Sequence, residues 1–267
     1  MKDQATVGPD RVKILSWPVD LFTKKSLLAF LADRVDSDAK TIVANVNLHA
    51  LYCLERSPAM ASLFSRRNTV VHIDGMPIVW LLKLKGVAAT GDNRLTYLDW
   101  AMEALAMSAK NGWKVGYIGS MREICEAGIV QFTSKFPNLN MRGWDGYFDM
   151  EDEAVDSKLN RTLEEVNAFE PDLLIVGMGM PRQEEFLERY SHRLKYRIAI
   201  CSGAFVEYLT GGQSMPPRLI GKIGLEWFYR LICDPRRYAY RYLAEPLMLV
   251  CLIARTRWQA DRPRRRT

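Results

Sequence analysis

Cysteine and histidine are scarce in this chain. Five cysteines stand apart at positions 53, 125, 201, 233 and 251, with no Cys-x-x-Cys pair, and an odd number cannot all be joined. A disulfide framework is thereby disfavoured, and the thiols read as small apolar packing groups kept reduced. The three histidines, His49, His72 and His192, lack the His-Glu-x-x-His spacing of a zinc hydrolase. The one Asp-x-Asp, Asp36-Ser37-Asp38, comes before a predicted strand rather than after one and reads as a solvated loop. Nothing in the chain calls for a metal. Long apolar runs are missing too. Pro246 to Ala254 is the longest, far short of the ~20 residues that span a bilayer. The polar stretch Met1 to Asp10 has no apolar segment of the secretory kind. These absences together point to a cytoplasmic protein.

What is present is a chain of 267 residues, 48% hydrophobic and 25% charged, enough for one large α/β domain or two smaller parts around a real core. Its net charge of +6 is unevenly placed. Residues 216–267 hold 12 Lys/Arg against 4 Asp/Glu, whereas residues 1–215 hold 25 against 27. A basic tail on a slightly acidic body wants an anionic partner: phospholipid, nucleic acid or pyrophosphate.

Short β-branched runs alternate with amphipathic stretches. Strands are predicted at Lys13–Trp17, Thr41–Val46, Thr69–Ile73, Lys114–Ile118, Asn140–Trp144, Leu173–Val176 and Arg197–Cys201. Helices are predicted at Lys24–Val35, Pro58–Arg66, Pro77–Lys85, Tyr97–Asn111, Arg122–Phe136, Glu151–Phe169 and Pro181–Leu194. The alternation predicts an α/β fold, a Rossmann-like, mainly parallel sheet with flanking helices. Several strands lack period-2 alternation, as expected when both faces are buried. Gly112 is the natural boundary between two subdomains sharing a cleft, 11–111 and a Rossmann-like 112–215. After Gly211-Gly212 and the linker Met215-Pro216-Pro217-Arg218 come two helical segments, Ile220–Ile232 and Pro235–Arg257, forming a basic appendage over 216–267. Arg262 to Arg266 is expected to be disordered.

Four segments could carry chemistry. Lys114 to Gly119-Ser120 is a strand running into a Gly-Ser turn and a helix, where free N–H groups could hold a phosphate; an ordinary turn and cap fits equally well. Leu173 to Glu184 is a buried strand ending in Gly177-x-Gly179, with Pro181 where helices favour a first-turn proline and Gln183 and Glu184 directly after. A dinucleotide fingerprint would need glycine where Arg182 stands, which disfavours NAD. His72-Ile73-Asp74-Gly75 puts a carboxylate at the end of an apolar strand, either as a general base or as a helix cap. Asn45, Asn47 and His49 end the preceding strand with hydrogen-bonding side chains, suited to sugar or base recognition or to capping the next turn.

In this order the segments resemble the WecG/TagA/CpsF glycosyltransferase family, over about Trp17 to Leu243. The marks are Val43-Ala44-Asn45-Val46-Asn47, Asp74-Gly75, Arg94-Leu95-Thr96, Gly119, Gly146-Tyr147-Phe148, Gly177 to Glu184, and Gly224-Leu225-Glu226-Trp227-Phe228-Tyr229-Arg230. The resemblance implies an inverting, metal-independent hexosyltransferase without a cofactor. It would move a sugar from a UDP donor to an undecaprenyl-pyrophosphate-linked saccharide. It places the catalytic base on Asp74 and donor contacts on Asn45, Asn47, Arg94, Gln183 and Glu207, with Gly119, Ser120, Tyr147 and Gly177 beside them. It assigns Arg230, Arg236, Arg237 and Arg241 to an appendage that docks peripherally on the cytoplasmic face of the inner membrane and closes the site. Asn45 stands where teichoic-acid members carry threonine, Glu207 where aspartate is usual, and Met76-Pro77 where glycine-rich sequence is typical. These departures favour the exopolysaccharide branch, with UDP-glucose as donor and a β-1,4 linkage. The alternative is an N-acetylmannosamine or N-acetylmannosaminuronic acid donor with lipid-linked N-acetylglucosamine as acceptor. A reading of another class is a nucleic-acid-binding protein with a basic tail; its charge is confined to the appendage, so no nucleic-acid partner is expected. Homo-oligomerisation is left open.

Overall fold

The computed structural model describes residues 9–37, 39–150, 157–211 and 226–260. The first two strands form an antiparallel hairpin, β1 (Arg11–Ile14) and β2 (Trp17–Asp20). The expected single strand Lys13–Trp17 is therefore two, folded about Leu15. Leu15 adopts φ of 55°, a left-handed conformation that the sequence does not announce with glycine or asparagine. Asp20 ties the hairpin to the main sheet. Its buried carboxylate accepts from Arg11 at 2.7 and 2.8 Å and from the Val71 amide at 2.7 Å, and Arg11 also donates to the Thr69 carbonyl at 2.7 Å. Edge groups that would otherwise invite another strand are so satisfied.

The main sheet holds β3 (Thr41–Val46), β4 (Thr69–Ile73), β5 (Lys114–Gly119), β6 (Asn140–Trp144), β7 (Leu173–Gly177) and β8 (Ile198–Cys201). Its order is β4-β3-β8-β7-β5-β6, with every neighbouring pair parallel. Strands β3, β7 and β8 are buried along their whole length, which is why their sequences read as continuous apolar runs. The parts on either side of Gly112 contribute to one sheet, because β8 pairs with both β3 and β7.

Helices cover both faces. Against one pack α1 (Lys24–Val35), α5 (Tyr97–Asn111), α6 (Arg122–Lys135) and α9 (Phe205–Leu209), around Trp100, Phe132 and Phe205. Against the other pack α2 (Leu48–Leu54), α3 (Pro58–Ser65), α4 (Met76–Leu84), α7 (Ser157–Phe169) and α8 (Arg182–Tyr190), around Phe64, Leu163 and Phe186. The predicted start of α7 at Glu151 and the linker at Met215–Arg218 lie outside the described residues, as does Arg262 to Arg266.

The appendage comprises Glu226–Cys233, Pro235–Ala239, a π-helical turn at Tyr240–Ala244, and Glu245–Ala260. The expected continuous helix from Pro235 is thus interrupted, and the wider turn carries Arg241 and Tyr242, a placement in keeping with π turns at functional positions. The appendage packs on α2. Glu245 Oε2 lies 2.6 Å from His49 Nδ1, the Tyr52 and Tyr240 hydroxyls are 3.3 Å apart, and Leu249 is buried in the main core. No helix among the described residues is long and apolar enough to cross a membrane.

Candidate active site

All six parallel strands end along one edge of the sheet, where open α/β sheets hold ligands. Two cavities lie there. The first, about 400 Å³, follows β3 and β4 and is lined by Asn47, His49, Asp74, Trp80 and Arg94 from the body and by Trp227, Arg230, Arg241 and Tyr242 from the appendage, among others. The second, about 610 Å³, follows β5, β6, β7 and β8; Ser120, Tyr147, Gly177, Arg182 and Glu207 are part of its wall.

In the first cavity, parallel pairing carries Asp74 straight off the end of β4, its amide donating to the Val46 carbonyl at 2.9 Å. The aspartate does not cap α4. Gly75 holds that position without a side-chain bond, and Asp74 lines the cavity. Asn47 serves two ends. Its Oδ1 accepts from the Ala50 amide at 2.9 Å to cap α2, and its Nδ2 donates to Asp74 Oδ2 at 3.0 Å. Capping and site-building, alternatives on sequence alone, are here one arrangement. Arg94 reaches the same place through a short parallel bridge to Ile73, with the Leu95 amide donating to the Ile73 carbonyl at 2.7 Å. Its guanidinium lies 3.5 Å from Asp99, the residue that also closes the Thr96 capping box of α5. Arg241 and Arg230 enter from the appendage, and Arg230 stacks 5.1 Å over the Tyr208 ring. A cavity with one carboxylate and three guanidinium groups suits an anionic ligand whose neutral portion must lose a proton.

The second cavity is made by close backbone approach. A Cβ on Gly119 would lie 2.4 Å from the Gly177 carbonyl oxygen, and one on Gly177 would lie 2.7 Å from the Tyr117 ring. Both glycines are needed for β5 and β7 to end side by side, so neither requires a phosphate to explain it. Gly119 itself is not among the lining residues, which is a difference from the expected donor contact; Ser120 and Gly177 are. Ser120 takes φ of 54° and its hydroxyl lies 2.8 Å from the buried Tyr117 hydroxyl. Met121 then holds the cap position of α6 with no side-chain bond, leaving first-turn amides for water or an anion. Arg182, where a dinucleotide fingerprint would need glycine, donates to the carbonyls of Gly146, at 3.3 Å, and Phe148, and so fixes the loop carrying Tyr147. Tyr147 is largely exposed. Glu207 stands in the first turn of α9.

Two expected donor contacts lie behind the walls. Gln183 is fully buried; its Oε1 accepts from the Gly203 amide at 2.9 Å and its Nε2 donates to Glu184 Oε1 at 2.7 Å. It shapes the loop after β8 without lining either cavity. Pro181 occupies the cap position of α8 rather than its first turn. Asn45 is buried on the α5 face of the sheet, beside His72 in the adjoining register. Burial drops the His72 imidazole to about 4, so the ring is neutral, and it meets Trp100 edge-on at 5.9 Å. Burial also lifts the Glu184 carboxyl to about 8, which keeps it protonated at neutral pH.

Sequence reasoning did not single out Trp80, Trp227, Tyr242 or Arg182 as site residues. The aromatic side chains line a cavity completed by the appendage, whose residues are distant from Trp80 in the chain. Arg236 is exposed on the appendage, and the side chain of Arg237 lies outside the described residues. Among the described residues no cluster of His, Cys, Asp and Glu is arranged to hold a metal ion.

The profile of the glycosyl transferase WecG/TagA/CpsF family matches residues 12–263. The chain belongs to this family. It is therefore a glycosyltransferase, and its mainly parallel Rossmann-like sheet is the one the strand–helix alternation predicted. Among similar proteins are the N-acetylglucosaminyldiphosphoundecaprenol N-acetyl-beta-D-mannosaminyltransferases of Staphylococcus aureus strains MRSA252 and NCTC 8325. Each is 26% identical over 208 residues, covering 74% of this chain and 78% of the relative.

Proposed function

We propose that the chain transfers an N-acetylmannosaminyl group from a UDP donor to an acceptor sugar carried on a polyprenyl diphosphate. The activity for which the relatives are named favours this donor and an N-acetylglucosaminyl-diphospholipid acceptor. The glucosyl, exopolysaccharide reading drawn from Asn45, Glu207 and Met76-Pro77 finds no support among them. The burial of Asn45 weakens the premise further, since that side chain lines neither cavity.

The observation that carries the reading is the carboxylate of Asp74, held by Asn47 at 3.0 Å inside a cavity that the appendage arginines complete. Asp74 accepts the proton of the acceptor hydroxyl as that oxygen bonds to C1 of the donor sugar; the bond from C1 to the diphosphate oxygen breaks and UDP departs with the electron pair. Attack opposite the leaving group inverts the anomeric carbon. An ionised carboxylate within ~3 Å of the hydroxyl suffices for the base. The charge on UDP is met by guanidinium groups and free amides, Arg94, Arg182 and the start of α6, with no metal required of the protein. The uridine portion occupies the second cavity, where the Glu207 carboxylate can accept from ribose hydroxyls or the uracil N–H. Arg230 and Arg241 meet the acceptor diphosphate. The basic appendage draws the protein to an anionic membrane surface, each nearby Lys or Arg contributing about 1 kcal/mol.

Product analysis with UDP-N-acetylmannosamine and UDP-glucose, offered separately with lipid-linked N-acetylglucosamine, tests the proposal. Transfer from the first donor is expected to exceed transfer from the second. A clear preference for UDP-glucose would return the donor to the glucosyl reading.

A further inference from the structure

Helix α4 is apolar on both of its faces. Ile78, Val79 and Leu82 are buried in the core. On the other side, the stripe Trp80, Leu81 and Leu84 is 48%, 38% and 84% exposed. A helix apolar all round belongs in a core or against a membrane. From Gly75 to Gly91 the chain has no Asp or Glu, while Lys83 and Lys85 flank the stripe and are exposed; Lys85 Nζ also donates to the Lys13 carbonyl at 3.3 Å. The helix adjoins the site directly. Met76, Pro77 and Trp80 line the Asp74 cavity from the body, opposite Trp227 and Pro246 of the appendage. The appendage continues the apolar exposure with Phe228, Leu247 and Val250.

We propose that α4 is a second membrane-contacting element, set in the body of the protein, whose Trp80–Leu81–Leu84 face enters the interface of an anionic bilayer while Lys83 and Lys85 meet its phosphates. The inference rests on the membrane-surface reading of the appendage and extends it across the cavity mouth. The charge pattern selects the occupant: an acid-free apolar stripe edged by lysines matches an anionic lipid surface, and two copies of it facing each other would oppose lysines. Half-exposed tryptophan suits the headgroup zone. With lipid contacts on both rims, the cavity mouth faces the bilayer from which a polyprenyl-linked acceptor is drawn.

The test uses the full chain and vesicles of phosphatidylethanolamine and phosphatidylglycerol. The double variant Leu81→Glu, Leu84→Glu is expected to lower partitioning about tenfold or more and to leave turnover on a water-soluble, short-chain acceptor unchanged. Leu84→Trp keeps the face apolar and is expected to add emission that brominated lipid quenches. Unchanged partitioning of the double variant, with Arg236→Glu weakened, would overturn the inference and leave the appendage reading standing. So would unquenched emission from vesicle-bound Leu84→Trp. Wild-type protein that binds no vesicles would remove the membrane reading and the inference together. If the double variant instead turns a dimer into a monomer in sedimentation and keeps its vesicle binding, the stripe is a contact between copies and the inference is wrong.

Discussion

The two cavities at the sheet edge are built by opposite means. The one after β3 and β4 is made of side chains: a carboxylate, arginines from two parts of the chain and a wall of tryptophans. The one after β5 and β7 is shaped by backbone brought close by glycines, with Asp149, Arg182 and Glu207 set around it on the loops and helix starts that follow. The first changes with every substitution and is completed by a segment outside the sheet. The second is fixed by the pairing of the strands themselves. The contrast points to a division of labour, with chemistry and acceptor on the side-chain cavity and a nucleotide common to many donors on the backbone cavity.

The severest challenge to that division is to neutralise the side-chain cavity alone. Asp74→Asn is expected to lower kcat about a thousandfold, within the range for loss of a general base, as measured by steady-state transfer to lipid-linked acceptor. Near-normal turnover would remove Asp74 from the chemistry. Next in size is Arg241→Ala, which takes one cation from the same cavity without touching the sheet. A fall in kcat/KM of roughly a hundredfold for the lipid-linked acceptor is expected, with thermal stability close to that of the wild type.

A smaller effect separates the walls of the cavities from the packing behind them. The unfolded Glu184 carboxyl titrates near about 4.3, while burial holds the folded one at about 8. Between these values the native state keeps a proton that the unfolded chain has lost, so raising the pH through that window weakens the fold; below it both states are protonated and the effect vanishes. A tenfold difference in proton affinity between the two states is worth roughly 1.4 kcal/mol. Glu184→Gln keeps the neutral shape and removes the titration. Its Tm is expected to fall less than that of the wild type between about pH 5 and about pH 8.5, by a few degrees, in calorimetry.

Much of the sheet was legible because its strands are apolar on both faces and bounded by helices of clear period; α1 and α5 lie at the predicted residues. Helix α2 was not. A single residue, Asn47, separates it from β3, and five of its seven side chains are buried, so no amphipathic period marks it off from the strand. The hairpin was hidden because Leu15 turns it where a glycine would have been the signal. At the site, Asp74 was legible from its place at a strand end, and Arg94 came only with the family resemblance. The inward turn of Gln183 was not legible: in the first turn of a helix after β7 a polar side chain can face the cavity or the next loop, and here it accepts from the Gly203 amide. The tryptophans at 80 and 227 come from distant segments, and no local pattern joins them.

The division between the cavities stands or falls on UDP-binding isotherms measured side by side for Asp74→Asn and Glu207→Ala. Wild-type affinity, within about twofold, is predicted for the first variant and a loss of about tenfold for the second. The reverse result, weakened binding on Asp74→Asn with Glu207→Ala unchanged, would contradict it.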